Sequence, residues 1–135
     1  MAQFQGIPVS IWGAGMYVPD RILTNDDLSK MVETSDEWIR ERTGIRKRHI
    51  AGEGELTSSV AEKAARNALE SAGVPAAEIE MVIVATNSPD TLFPGVAPKV
   101  QGSLGAKNAG AFDVQSGCTG GVYAMTLAAA GIASG

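Results

Sequence analysis

Cys118 is the only cysteine in the 135 residues, and its neighbours are of the types that a thiol nucleophile needs. It follows a short apolar run, Ala111-Phe112-Asp113-Val114, and a small-residue hinge, Gln115-Ser116-Gly117. From Thr119 to Ala130 the sequence reads as a buried helix. A cysteine on such a strand-to-helix turn sits over the positive end of the helix. The N-terminal N–H groups and the macrodipole there favour the thiolate, which is the nucleophilic form. Flanking glycines let a substrate carbonyl come close to the backbone. The ordinary alternative is a buried structural cysteine, since free Cys packs as a small hydrophobe. The glycine-flanked turn favours the nucleophile.

Three other constellations could carry chemistry. Trp38 and Arg42 stand at i and i+4, on one face of a helix, where an indole and a guanidinium could clamp a flat ring. Spacing alone slightly favours the plainer reading, in which Trp38 anchors the helix to the core and Arg42 is solvated. Arg40, Arg42, Arg46, Lys47, Arg48 and His49 form a basic stretch in an acidic chain. It could meet phosphates or an acidic partner, or be a solvated surface paired with Glu37 and Glu41. His49 is the only histidine, and nothing in the sequence places it beside Cys118. Gly13-Ala14-Gly15 invites a dinucleotide-binding reading, but the third glycine is missing and Pro19 cuts off the helix that should follow. A tight structural turn is the better reading. No cluster has metal-ligand spacing, so no metal site is expected.

The elements that must hold these residues alternate between strand and helix. Ile7 to Ala14 reads as a strand. Thr24 followed by Asp27 marks a helix start. Thr34 and Glu37 form a capping-box pattern for a helix that Gly44 stops. Ser59 and Glu62 form another box. The helix after it lays Val60, Ala61, Ala64, Ala65, Ala68, Leu69 and Ala72 on one face, and Gly73 and Pro75 end it. Met81 to Ala85 is a continuous apolar run, typical of a strand covered on both faces of a parallel sheet. Pro94 and Pro98 sit near the start of a short helix that ends by Gly105. The Cys118 strand and helix follow. This order argues for α/β layers.

Composition narrows the classes. The length suits one domain or part of one. A net charge of −4 gives no bulk attraction to nucleic acid. With aromatics at 5%, much of the packing falls to alanine, valine and glycine. A lone cysteine excludes an internal disulfide framework and fits a reducing, cytoplasmic compartment. Met1 to Gln5 has no basic region leading into an apolar stretch, so no secretory signal is expected. Val114 to Gly135 is uncharged and approaches the length of a membrane span. Its Gly, Ser and Thr content and its hinge favour a central helix buried all round instead.

Taken together, Gly13-x-Gly15-x-Tyr17-x-Pro19, Thr34-Ser35-Asp36-Glu37-Trp38-Ile39, Arg42-Thr43-Gly44-Ile45-Arg46 and Phe112-Asp113-Val114 leading to Gly117-Cys118 resemble the β-ketoacyl-acyl carrier protein synthase III family. The resemblance runs in order over nearly the whole chain. It implies an α/β, thiolase-like fold, with residues 1–135 as most of the N-terminal half of a five-layer αβαβα architecture and the C-terminal half absent. It implies an acyltransferase that initiates fatty acid synthesis. Cys118 would accept the acyl group of acetyl-CoA or another short acyl-CoA, and the acyl-enzyme would condense with malonyl-acyl carrier protein. The Cys118 N–H would contribute to an oxyanion hole. Trp38 and Arg42 would sandwich the CoA adenine with Thr34 nearby, and the resemblance here overrides the plainer reading. Phe93 would line the acyl pocket across a homodimer interface. No cofactor, nucleic acid or membrane is implied.

Two departures qualify the resemblance. Thr119-Gly120-Gly121 stands where many members have a small residue, glycine and an aromatic, which leaves acyl preference open. The family's catalytic histidine and asparagine belong to the second half, and His49 does not match that histidine. These 135 residues alone are therefore expected to be inactive in condensation, and an uncovered Cys118 helix is expected to promote association. Alternatives are another thiolase-fold acyl-CoA synthase, of polyketide, alkylquinolone or hydroxymethylglutaryl-CoA type, or a non-catalytic module that binds CoA or forms an interface.

Overall fold

The computed structural model describes residues 6–135. Met1 to Gln5, read above for a secretory signal, lie outside the described residues. The chain divides into two units, residues 18–56 and the remainder.

In the unit of residues 18–56, β1 (Arg21–Thr24) pairs antiparallel with β2 (Lys47–Ile50), Arg21 opposite Ile50 and Thr24 opposite Lys47. Thr24 ends β1 and caps α1 (Asn25–Ser29) through the expected box with Asp27. The second box is not formed. Ser35, not Thr34, caps α2 (Asp36–Thr43), its Oγ accepting the Trp38 N–H at 3.1 Å. Both residues are good caps, and a cap at Ser35 leaves Glu37 one position short of the reciprocal bond. Gly44 stops α2 as expected, in the left-handed conformation at φ 73°.

Asn25 holds this unit together. It is 1% exposed. Its Nδ2 donates to Asp36 Oδ1 and to the Ile45 carbonyl, both at 2.8 Å, and its Oδ1 accepts from Arg48 at 2.6 Å. One side chain thus ties the start of α1 to the start of α2, to the segment after α2 and to β2.

In the other unit, β3 (Met81–Ala85) and β4 (Gly110–Val114) run parallel and in register, from Met81 opposite Gly110 to Ala85 opposite Val114. The apolar run at Met81 is therefore the expected parallel strand, although it is only half covered. Helix α4 (Val96–Leu104) packs on this pair and ends at Gly105, φ 76°. Val96, Ala97 and Val100 of α4 are the most deeply buried apolar residues of the unit, together with Ala106. Asp113 of β4 positions the helix. Its two carboxylate oxygens accept the Val96 and Ala97 N–H groups at 2.7 and 2.6 Å. A side chain on Gly95 would collide with that carboxylate, so only glycine fits there.

Helix α3 (Thr57–Ala72) begins two residues before the expected Ser59 cap. Its first turn is satisfied from far along the chain, with the Asp90 carboxylate accepting the Ser58 N–H at 3.2 Å. The expected apolar face from Val60 to Ala72 is the more covered side of the helix, and Gly73 ends it at φ 67°. Residues 6–19 form no strand, contrary to expectation. A strand exists through its ladder, and this segment has none with β3 or β4. Gly13 and Gly15 lie against α3 instead. A Cβ on Gly13 would stand 2.7 Å from the Ala68 carbonyl oxygen and the Ala72 nitrogen, and one on Gly15 would overlap Ala64 and Ala68. These glycines allow close approach to a helix, which removes the dinucleotide-binding reading.

Helix α5 (Gly120–Ser134) follows a 3₁₀ turn at Gly117–Thr119 and packs on β3 and β4. The sequence is apolar all round, yet Gly120 is its only buried residue. Val122, Met125 and Ile132 are 61%, 59% and 60% exposed. One side of the helix meets the sheet, and no other described element covers the remaining sides. At 15 residues it is too short to span a bilayer, and no described helix is long and apolar enough to cross one.

Candidate functional site

The carboxyl ends of β3 and β4 point the same way, and the chain leaves both there. In open α/β sheets this is the edge where ligands gather. β4 leads through Gln115 and Ser116 into the 3₁₀ turn that carries Cys118. Gly117, at φ 55°, makes the sharp bend. The Thr119 N–H and hydroxyl both donate to the Ser116 carbonyl, at 3.3 and 2.8 Å, and close the turn. Gly120 lies against Ala85, where an added Cβ would sit at 3.3 Å. The turn is thereby pressed onto the end of β3. Cys118 itself is exposed at its tip.

β3 leaves the same edge through residues 86–95. The Thr86 N–H still donates to the Val114 carbonyl, so the ladder runs one residue past β3. Asn87 then turns to the cysteine loop, its Oδ1 accepting the Gly117 N–H at 3.3 Å. The segment is fixed from behind. Thr57 donates to the Ser88 carbonyl at 2.7 Å, and Lys99 pairs with Asp90 at 3.4 Å. Burial pushes the Asp90 carboxyl up, but hydrogen bonds from Ser58 and Lys99 outweigh it and hold the group below the usual carboxylate range. Phe93 stands on this segment with its side chain in solvent, 91% exposed beside Leu92 at 94%. Sequence reasoning missed Asn87. The available signal was its place, two residues past an apolar strand that runs parallel.

In the other unit, Trp38 and Arg42 share a face of α2 as expected. The Arg42 guanidinium carbon lies 4.8 Å from the Trp38 ring centroid, in cation–π contact. A flat ring held between two stacking groups needs roughly twice the ~3.5 Å of van der Waals contact. The pair is therefore closed on itself. Trp38 is 54% exposed and does not anchor the core. Ile39, 8% exposed, does so instead. Thr34 precedes the Ser35 cap and is half-buried.

The basic stretch is divided in its roles. Arg48 is half-buried and bound to Asn25 and to the Thr24 carbonyl. Arg40 pairs with Asp36 at 3.2 Å rather than with Glu37 or Glu41. Arg42, Arg46 and Lys47 face solvent. His49 on β2 donates from Nδ1 to the Pro19 carbonyl, which can only accept. Among the described residues no three His, Cys, Asp or Glu side chains are grouped as a metal ion would need. Two shallow concavities, one along Arg66–Ala76 and one along Asp36–Arg46, have no contribution from Cys118.

No family model matches the chain. Its structure is similar to that of 3-oxoacyl-[acyl-carrier-protein] synthase III from Aquifex aeolicus, with a TM-score of 0.88 and 44% identity, covering 92% of this chain and 40% of that one. The priming β-ketosynthase of the R1128 polyketide pathway gives the same TM-score at 38% identity, over 93% of this chain and 37% of that one. The fold is thus the thiolase-like fold of condensing enzymes, as the motifs implied. Within that class the chain is homologous to β-ketoacyl-[acyl-carrier-protein] synthase III. The protein of that name from Hyphomonas neptunium is 55% identical over 118 residues, which are 87% of this chain and 36% of that protein. The chain spans little more than a third of the length of the curated relatives it matches.

Proposed function

We propose that this chain carries the acyl-accepting part of a β-ketoacyl-acyl carrier protein synthase III. The observation that carries the reading is the 55% identity to a synthase of that name over a segment that includes the glycine-flanked Cys118 turn. In this reading Cys118 Sγ attacks the thioester carbonyl of acetyl-CoA or another short acyl-CoA. The tetrahedral intermediate collapses, the acyl–Sγ bond remains, and CoA leaves as the thiol. Malonyl-acyl carrier protein then loses carbon dioxide. Its carbanion attacks the acyl carbonyl, giving the β-ketoacyl product and freeing Cys118. Covalent catalysis divides one hard transfer into two steps. Cys118 lies in the first turn of its 3₁₀ segment, where N–H groups have no intrahelical partner. Its N–H is one donor for the developing oxyanion. The thioester supplies an activated acyl group, so the reaction needs no metal or redox cofactor.

Trp38, Arg42 and Thr34 bind the CoA adenine end. Exposure of the indole and the solvent-facing Arg46 and Lys47 support a nucleotide there. The adenine stacks on Trp38 once Arg42 swings aside, since the two are in contact without it. Phe93 lines the acyl pocket of a second copy in a homodimer. Its near-complete exposure, with that of Leu92, supports burial by a neighbour. We assign the enzyme to the cytoplasm, in keeping with its lone free thiol, and give it no membrane or nucleic-acid partner. Residues 1–135 form one incomplete thiolase-like domain in this reading.

The test is to incubate the protein with acetyl-CoA and follow Cys118 by intact mass. One acetyl group is expected, none in Cys118→Ala, and an about tenfold weaker dependence on acetyl-CoA in Trp38→Ala, or about 1.4 kcal/mol. Equal acetylation of Cys118→Ala removes the reading and leaves a non-catalytic module. The 135-residue chain alone is expected to give no condensation product with malonyl-acyl carrier protein. A polyketide-type priming synthase is the second reading, supported by the R1128 enzyme's equal TM-score. The acyl-CoA that acylates Cys118 fastest separates the two readings.

A further inference from the structure

We infer that Asn87 is the positioning residue of the Cys118 turn, an inference that rests on the nucleophilic role proposed for Cys118. The bend before Cys118 depends on one residue, Gly117, which takes a left-handed conformation at φ 55°. Its carbonyl accepts the Gly120 N–H, within the chain's own turn. Its N–H instead meets the Asn87 Oδ1 at 3.3 Å, a group thirty residues earlier in sequence. This contact fixes the plane of the Ser116–Gly117 peptide, one peptide before the one that leads into Cys118. With the next peptide held through the Gly117 carbonyl by Gly120, the two bonds on either side of Gly117 together set where the Cys118 Cβ and N–H point.

Asn87 itself is exposed, but the backbone on either side of it is held in place. The Thr86 N–H extends the β3–β4 ladder beneath it, and the Thr86 hydroxyl accepts the Ser88 N–H at 3.1 Å. Beyond it, Ser88 and Asp90 are tied to the first turn of α3 and to Lys99 of α4. The nucleophile's turn is therefore braced by an acceptor mounted on the neighbouring strand, and two helices hold the mount. A side chain at 87 without an acceptor leaves the Gly117 N–H to water and the turn free to rotate. A misplacement of about 1 Å at a reacting atom costs on the order of a hundredfold in rate. Looser turns that visit the right geometry part of the time lose less, about tenfold.

The test uses Asn87→Ala, which removes the acceptor, and Asn87→Asp, which keeps an oxygen in the same place. Two quantities are read: hydrogen exchange of the Gly117 amide, and the rate and KM of Cys118 acylation by acetyl-CoA. In Asn87→Ala, exchange is expected to rise about tenfold and the acylation rate to fall about tenfold with KM unchanged. Asn87→Asp is expected to restore both to within about threefold. Unchanged Gly117 exchange in the alanine variant overturns the inference. So does equal loss in both variants, or a rise in KM alone. If Asn87→Ala does not fold, Asn87→Asp and Asn87→Ser decide, since only the first reaches Gly117. If the parent protein takes no acyl group, the proposed function fails, and exchange at Gly117 alone decides the brace.

Discussion

At the scale of the residue, the side chains that hold the structure are not those that advertise chemistry. Asn25 drew no attention in the sequence, where it is one polar residue in a run of four beginning at Thr24. Its importance comes from Asp36, Ile45 and Arg48, which are distant in sequence and meet only in the fold. Local pattern cannot reveal such a hub. Asn25→Leu takes one hydrogen bond each from Arg48, Asp36 and the Ile45 carbonyl, and is expected to lower stability by about 1–3 kcal/mol. Urea unfolding measures this, and a change under half a kcal/mol refutes the hub. The carboxylates make a further prediction. Hydrogen bonds from Thr24, then from Lys30, lower Asp27 from 3.8 to about 2, and hydrogen bonds from Asn25, then Arg40, lower Asp36. A depressed folded value stabilises above the unfolded value and is lost as pH falls through the folded one. Thermal stability is therefore expected to hold from about pH 7 to pH 5 and fall between about pH 4 and pH 2. Asp27→Asn is expected to flatten the lower part of that curve.

At the scale of the element, what the sequence made legible was periodicity and punctuation. The unbroken apolar run at Met81 named a parallel strand, and Gly44, Gly73 and Gly105 each end a helix in the left-handed conformation. Choices between equals were not legible. Thr34 and Ser35 are both capping types, and the backbone took the second. β1 and β2 are four residues each, and Lys-Arg-His-Ile has no alternation of apolar side chains. Their pairing comes from the helices between them, not from a signal of their own. The Ile7–Ala14 run shows the converse. Its β-forming residues are present, but a strand also needs a neighbour, and the segment lies against α3. The turn of Cys118 was legible for the same reason as the glycine stops, because small residues there have few other uses. Asn87 was harder to see, because its partner lies thirty residues away and only its place just past a parallel strand points to it.

At the scale of the molecule, apolar surface is the dominant feature. Val122, Tyr123, Met125, Leu127 and Ile132 of α5 are all exposed in a helix that carries no charge. Patches of that kind associate unless something covers them. The 135-residue chain is therefore expected to sediment as a concentration-dependent oligomer. A monodisperse monomer that unfolds cooperatively would contradict this. The two tryptophans also divide between the two units. Trp12 lies in one and Trp38 in the other, and both reach solvent. Each unit thus carries its own intrinsic fluorophore. Replacing Trp12 by phenylalanine leaves emission that reports on residues 18–56 alone, and comparing it with the parent spectrum during denaturation reads directly whether the two units melt as one.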